Sequence, residues 1–463
     1  MLMPILMLAD TSQFFFQRLI LGDDPPLWQQ LVYSFTIVAT VFAAMVSLIA
    51  MFCIWWERKV AGHIQSRFGP NRVGPIGLLQ SLADGIKLLL KEDLMPGASD
   101  KLLFRLAPYL AFAPAFAAFL ALPFAPNLVF EPRLNVALFW ILAILSVEVM
   151  GVIIAGWASN NKWSVYGAMR EAAQVVSYEI PLGISIIVGV MAAGTLNLVQ
   201  ISMLQGGGIH TWLIFTSPFT FIAFFVFFVA SLASNKRAPF DLPESESELV
   251  SGFHTEYSGL RFSFFFFAEY AAMFVVGAVQ TALFLGGWND PFGLIGYYYQ
   301  QFTVDPNNVN VIGLIALNII GAGIFVAKTL TIIFIQMWVR WTFPRPRIDQ
   351  VIYACVKVLL PAACALLLAG AVWQLLVPRR PGVPWAPEAL GGYNPFDASA
   401  WIASPAGNAI LSLITQVVLA MIGIGFFMAI VLWVLYAWRS GGQIKQRLSD
   451  PAPIEKQVAV AES

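Results

Sequence analysis

The chain has 463 residues, of which 59% are hydrophobic, 14% aromatic and only 11% charged. That is too apolar for a soluble multidomain protein and places the chain in a bilayer. Its 26 basic and 26 acidic residues cancel, so no global field draws nucleic acid or an acidic partner.

Crossing the hydrocarbon takes about 20 mostly apolar residues in a helix. Nine stretches meet that requirement: residues 30–56, 105–123, 134–157, 180–203, 213–233, 263–286, 311–339, 353–377 and 409–438. The runs are continuous rather than alternating, which predicts helices and not barrel strands. The expected fold is an all-α integral membrane bundle of about nine transmembrane helices with structured cytoplasmic loops. Of the 26 Lys and Arg residues, 21 fall in or beside the loops that follow odd-numbered spans. That bias predicts an external N-terminus and a cytoplasmic C-terminus. The N-terminal MLMPILMLAD has no basic residues ahead of its apolar run, so it does not read as a cleaved signal. The expected organisation is an external extension over 1–29 and an eight-helix core over 30–377. A Pro-rich external loop with an extra ninth helix follows over 378–438, then a cytoplasmic tail over 439–463. No tandem or inverted repeat is visible. Cys53, Cys355 and Cys364 are scattered in apolar surroundings, a spacing that predicts no metal or cluster site.

The first inside loop reads ERKVAGHIQSRFGPNRVGPIGLLQSLADGIKLLLKED, Glu57 to Asp93. Glu57, Arg58 and Lys59 end a span at headgroup depth, where long side chains snorkel. GPNRVGPIG then sets three Gly and two Pro in an irregular backbone. At a membrane surface such a backbone must be buried in protein or line a cavity. It lacks the Gly-Lys-Ser/Thr ending of a phosphate loop. Leu78 to Lys91 has apolar residues at helical spacing, with Asp84, Lys87 and Lys91 between them, which predicts a helix lying along the interface.

Further on, Glu148 lies inside the third predicted span. The second inside loop, SNNKWSVYGAMREAAQVVSYEIPLG, places Arg170, Gln174 and Tyr178 on one helix face, with Glu179 beside them at the start of the next span. The third, RAPFDLPESESELVSGFHTEYSG, packs Asp241, Glu244, Glu246 and Glu248 within eight residues, followed by Glu256. Crowded carboxylates repel one another, which raises some of their pKa values. Pro239, Phe240, Leu242, Leu249, Val250, Phe253 and Tyr257 interleave them, which predicts a folded, partly buried segment rather than a solvated loop. The spacing is not that of a calcium loop. Glu269 and Lys328 lie inside the sixth and seventh spans. A charge at mid-bilayer costs about 2.5–3.5 kcal/mol, so each must face a partner or a water-filled path. The last core inside loop, WVRWTFPRPRIDQ, sets Arg340, Arg345 and Arg347 near Asp349, enough positive charge to balance the acidic loop.

Taken together, ERKVAGHIQSRFGPNRVGPIGLLQ, GWASNNKW, AAQVVSYE, RAPFDLPESESELVSGFHTEYSG, FFAEY, LGGW and TFPRPRIDQ resemble the H-subunit, or mitochondrial subunit 1, family of respiratory complex I. The resemblance implies a membrane subunit of a proton-translocating NADH:quinone oxidoreductase in a bacterial inner membrane, catalysing nothing alone. It implies quinone as substrate, with flavin and iron–sulfur clusters held by partner subunits and no cofactor by this chain. Its partners would be the other membrane subunits and the quinone-site subunits of the hydrophilic arm. By residue match Glu57, Arg58, Arg67, Phe68, Arg340 and Arg345 fall at the quinone tunnel. Glu179, Asp241, Glu244, Glu246, Glu248, Glu256, Glu269 and Lys328 match a charged path toward the proton-pumping subunits. The chain departs from the family where a run like AETNR is usual: it reads ASNKR, with Ser234 in the acid's place and Lys236 two residues on. Glu148 is a candidate relay in substitution. The N-terminal extension and the ninth span also depart from the family. The rival readings are the equivalent subunit of a membrane hydrogenase and a stand-alone transporter.

Overall fold

The computed structural model describes residues 43–130, 134–243, 245–303 and 311–376, with a few isolated positions besides. In chain order its α-helices of seven or more residues are α1 (Ala43–Ile64), α2 (Gln80–Leu90), α3 (Lys101–Ala118), α4 (Ala137–Ala158), α5 (Lys162–Ala193), α6 (Pro218–Ser234) and α7 (Gly259–Phe284). They continue with α8 (Leu294–Thr303), α9 (Val311–Thr342), α10 (Ile348–Ala354) and α11 (Leu360–Leu376). A π-helical turn, Cys355–Leu359, joins the last two. The described strands are β1 (Pro123–Ala125) and β2 (Leu128–Val129), a short antiparallel ribbon between α3 and α4.

Among the described residues six helical stretches are long and apolar enough to cross a membrane: Lys101–Ala121, α4, α5, α7, α9 from Ile312, and Ile348–Gln374. The apolar α6 is shorter, at 17 residues, and α1 ends in Glu57, Arg58 and Lys59 followed by one more turn. The second to eighth predicted spans therefore have helical counterparts and the first has one over its described part, residues 43–56, making an all-α polytopic membrane protein. The extension over 1–29, the Pro-rich loop, the ninth span and the tail lie, isolated positions apart, outside the described residues.

One boundary differs from expectation. The predicted loop 159–179 is instead the first half of α5, which runs unbroken from Lys162 to Ala193 through Pro181. Asn161 starts it by accepting a hydrogen bond from the Trp163 amide at 3.0 Å, a side-chain N-cap. The good helix formers of GAMREAAQ then carry the helix on, and packed neighbours re-satisfy the backbone group that Pro181 frees. α5 stops ten residues before the predicted end because Gly194 takes a left-handed φ of +77° and closes on Val190 O at 2.7 Å, the usual glycine C-cap.

The bundle is built around α7. Every residue from Tyr270 to Phe284 is buried, as expected of a helix that is apolar all round. Phe274 stacks on Phe119 beyond α3, Phe284 meets Phe224 and Phe227 of α6, and Leu283 and Val275 sit in the same core. The first turns of α7 emerge from the core and carry Glu269. At that end the acidic loop crosses the bundle, and the starts of α3, α5 and α10 meet the ends of α1, α4, α6 and α9. α2 lies beside it, with Leu82, Ile86, Leu89 and Leu90 exposed on its surface.

Candidate functional site

α1 delivers Glu57 to the acidic-loop end, where it is buried and held from three directions. Arg237 Nη1 approaches Glu57 Oε2 at 3.0 Å, Tyr270 OH of α7 donates to the same oxygen at 2.7 Å, and Arg340 of α9 donates to Oε1. Arg237 also places Nε 3.2 Å from Glu269 Oε1, an ion pair outside hydrogen-bond geometry, and its guanidinium lies 4.2 Å from the centre of the Tyr270 ring. Burial works against the charge of Arg237, yet Glu269 and Glu57 outweigh it and hold the guanidinium well above its ordinary pKa.

The turn that supplies Arg237 also supplies Lys236. α6 ends with the Lys236 amide bonded to Ala233 O and the Arg237 amide bonded to Leu232 O at 3.1 Å, the double closure of a Schellman cap. Lys236 takes the left-handed position, at φ +54°. Its ammonium is buried between Glu171 Oε1 of α5, at 2.5 Å, and Glu148 Oε1 of α4, at 3.3 Å. Burial opposes this charge too, but Glu171 and Glu148 together raise the lysine well above its usual range. Two adjoining cavities open beside the node. Glu148, Lys236 and Glu269 line both; Glu179 and Ser234 line the first, and His254 the second. Burial, helped by Lys236, pushes His254 down to about 4, so it is neutral near pH 7.

The acidic loop itself is folded, as its interleaved apolar residues predict: Leu242, Leu249, Phe253 and Tyr257 are buried, and Tyr257 stacks on Phe104 at 4.1 Å between centroids. Its acids are tied outward. Asp241 pairs with Arg345 at 3.2 Å, Glu248 with Arg170 at 2.5 Å, and Glu256 accepts from Asn161 at 2.7 Å. Burial pushes Asp241 up to about 6 against the pull of Arg345. Glu244 and the side chain of Glu246 lie outside the described residues.

The loop of three glycines closes over the end of α1. Trp55 Nε1 donates to Ile76 O at 3.4 Å and Lys59 donates to Asn71. Arg58 binds Asp84 of α2, which Lys87 also reaches at 3.1 Å. Burial would raise the Asp84 carboxyl, but its hydrogen bonds from Arg58 and Lys87 hold it below the usual range. Arg67 is exposed and Phe68 is 88% exposed. Gly77 sits at φ +76°, and a Cβ there would stand 2.0 Å from Pro70 O. Gly77→Ala is therefore expected to cost about 2–4 kcal/mol locally and to open this loop to proteolysis. Gly85→Ala, with nothing within 4 Å of its Cβ, is the silent control.

The structure thus brings together Glu57, Arg340, Glu269, Glu148 and Glu179, with Asp241 and Arg345 at the edge. It does not bring Lys328 to them. Lys328 donates to the carbonyls of Leu285, Gly287 and Asn289 at 2.5–3.1 Å and lies 4.1 Å from the Trp212 ring. Those carbonyls follow the far end of α7, about 24 Å along the helix from Glu269. The described residues hold no group of three or more potential metal ligands. Glu171 and Tyr270 join the site without a motif that marks them. The spacing puts Arg170 with Gln174 and Tyr178, whereas Glu171, Gln174 and Tyr178 form the fully buried face and Arg170 reaches outward to Glu248. The spacing of three and four from Glu171 carried that signal.

Known proteins share this chain's sequence over most of its length. A family model described as NADH dehydrogenase matches residues 37–371. The H subunit of NADH-quinone oxidoreductase from Chlorobium luteolum is 42% identical over 373 residues, covering 78% of this chain and 97% of the relative. That of Anaeromyxobacter dehalogenans is 42% identical over 379 residues, covering 80% and 90%. That of Chlorobaculum parvum is 44% identical over 343 residues, covering 73% and 92%. With a family model spanning most of the chain and relatives matched over nearly their whole length, the chain belongs to the H-subunit family of NADH-quinone oxidoreductase, a membrane subunit of respiratory complex I.

Proposed function

We propose that this chain forms part of the quinone-access tunnel and couples quinone reduction to proton translocation. The observation that carries the reading is one connected series of buried and partly buried charges. It runs from Arg340 and Glu57 through Arg237 to Glu269, and across two cavities to Glu148 and Lys236. Ionisable groups kept dry at this cost call for a functional reason, and perturbed groups lining a cavity are candidates for proton transfer.

Glu57, Arg58, Arg67, Phe68, Arg340 and Arg345 form the tunnel end. Phe68, Ile76 and the outer leucines of α2 present an exposed apolar surface that fits a lipid-soluble quinone and the partner subunits that complete the wall. Glu179, Asp241, Glu244, Glu246, Glu248, Glu256 and Glu269 form the coupling segment, with Glu148 as the relay that Ser234 does not provide. Lys328 stands at the far end of the same helix pair as the next basic position. When a bound quinone takes up electrons and protons, the charge at the Glu57–Arg340 end changes. Arg237, shared between Glu57 and Glu269, passes that change on by altering which carboxylate it holds. The acidic-loop end faces the cytoplasm of an inner membrane, with the N-terminus outside. No cofactor is bound by this chain; flavin and iron–sulfur clusters belong to the hydrophilic arm.

A tagged chain is expected to co-purify with the other complex I subunits and with inhibitor-sensitive NADH:quinone activity. In that complex Glu179→Gln should lower turnover and pumping together, by about tenfold or more. A monomeric chain that moves a solute in liposomes would reverse the reading.

A further inference from the structure

Lys236 occupies a backbone position that favours glycine: the left-handed C-cap of α6, at φ +54°. The side chain placed there is buried, and its ammonium stands between two carboxylates from different helices. These two are not equivalent. Glu148 lines both cavities, in company with Glu269. Glu171 lines neither, is fully buried, and its oxygens make no hydrogen bond among the described residues beyond the ion-pair contact. One carboxylate is open to proton exchange and the other is sealed. The remaining charged or titratable groups facing the node are Arg237, Glu269, Glu179 and the neutral His254.

We propose that Lys236 is a charge shuttle for proton transfer through Glu148, with Glu171 as its fixed counter-ion; this rests on the coupling role proposed above. When Glu148 takes a proton from protonated Glu269 across their shared cavity, its negative charge disappears and the ammonium closes on Glu171. When Glu148 passes that proton to ionised Glu179, which lines the first of the same cavities, the ammonium swings back. One proton enters and one leaves, while Lys236 and Glu171 keep their own protonation states. Ser234 lines that cavity without a carboxylate, and Glu148 supplies one from α4 instead.

The test uses assembled complex in native membranes, with turnover expressed per assembled complex. Lys236→Gly relieves the left-handed backbone, so lost activity cannot be laid to the turn. Lys236→Gly and Glu148→Gln are each expected to slow NADH:quinone turnover about tenfold or more, and the double variant to be no slower than either, because the pair acts as a unit. Adding Ser234→Glu to Glu148→Gln should restore most of the loss. In redox-difference infrared spectra a carboxylic-acid signal should vanish in Glu148→Gln and shift in Lys236→Gly. Parental turnover in either single variant, or losses that simply add, would overturn the shuttle in favour of a salt bridge that only holds helices. If Glu148→Gln does not assemble, Glu148→Asp draws the carboxylate back by one methylene, and an unchanged rate there overturns it equally. Glu179→Gln separates the two levels: if it is slow while the Glu148 variants are normal, only the shuttle falls, and if it too is normal the coupling role falls with it.

Discussion

Arg237→Met is expected to destabilise the membrane domain by about 3–5 kcal/mol, the usual consequence of removing one partner from a buried ion network. The cost comes from the groups left behind. Glu57 would keep Arg340 and Tyr270 but lose its second guanidinium, and Glu269 would lose its nearest cation. Both are at least half-buried, so water cannot replace what the arginine supplied. The Tyr270 ring would also lose the guanidinium that lies 4.2 Å from its centre. Arg237→Lys keeps the charge but not the fork that meets Glu57 through Nη1 and Glu269 through Nε, and so should recover only part of the loss. The yield of assembled complex and its thermal inactivation midpoint measure the effect. An Arg237→Met complex with parental yield and midpoint would show that these charges do not depend on one another.

Arg237 also marks where the sequence stops being legible. The long apolar runs announce the spans because a helix in hydrocarbon must satisfy its own backbone and cover itself with apolar side chains. The amphipathic spacing of 78–91 likewise gives α2. The same rules misplace the start of α5, since Asn161 as an N-cap and the helix-forming GAMREAAQ are local signals that a hydropathy window averages away. Glu171 is hidden for a related reason. The helix face drawn through Arg170, Gln174 and Tyr178 leaves it out, and only the packing of α5 shows that the inward face runs through Glu171 toward Lys236. Lys328 shows the opposite error: its depth invites a carboxylate partner, but three carbonyls after the end of α7 reach it first. Pairings across 180 or more residues, such as Glu57 with Arg237 and Arg340, leave no trace in local spacing. A match of motif to family can assign Glu57 to the quinone tunnel and Glu179 and Glu269 to the charged path, but it gives no distances.

Turnover of the complex is expected to fall as pH drops through about 6, and Asp241→Asn to remove that acid limb. Asp241 holds Arg345 at 3.2 Å through Oδ2 while Oδ1 is buried without a hydrogen bond. Burial raises its pKa from 3.8 to about 6 although Arg345 pulls the other way. Above that value the carboxylate is ionised and engages Arg345; below it the charge pair is lost. If coupling needs the ionised form, Asp241→Asn should be slow at every pH, by about tenfold or more, and flat across the range where the parent declines. Stability should move in the opposite sense. Because the folded state binds this proton more tightly than the unfolded chain, Asp241 contributes stability that grows as pH falls from about 6 toward 3.8. A carboxylate that only held the loop would make activity follow stability, so the two would rise together on acidification. Measuring turnover and the thermal midpoint of parent and Asp241→Asn on one pH series decides between them. Activity that falls while the midpoint rises identifies a charge kept for coupling at the expense of the fold, whereas parental turnover in Asp241→Asn would remove Asp241 from the path.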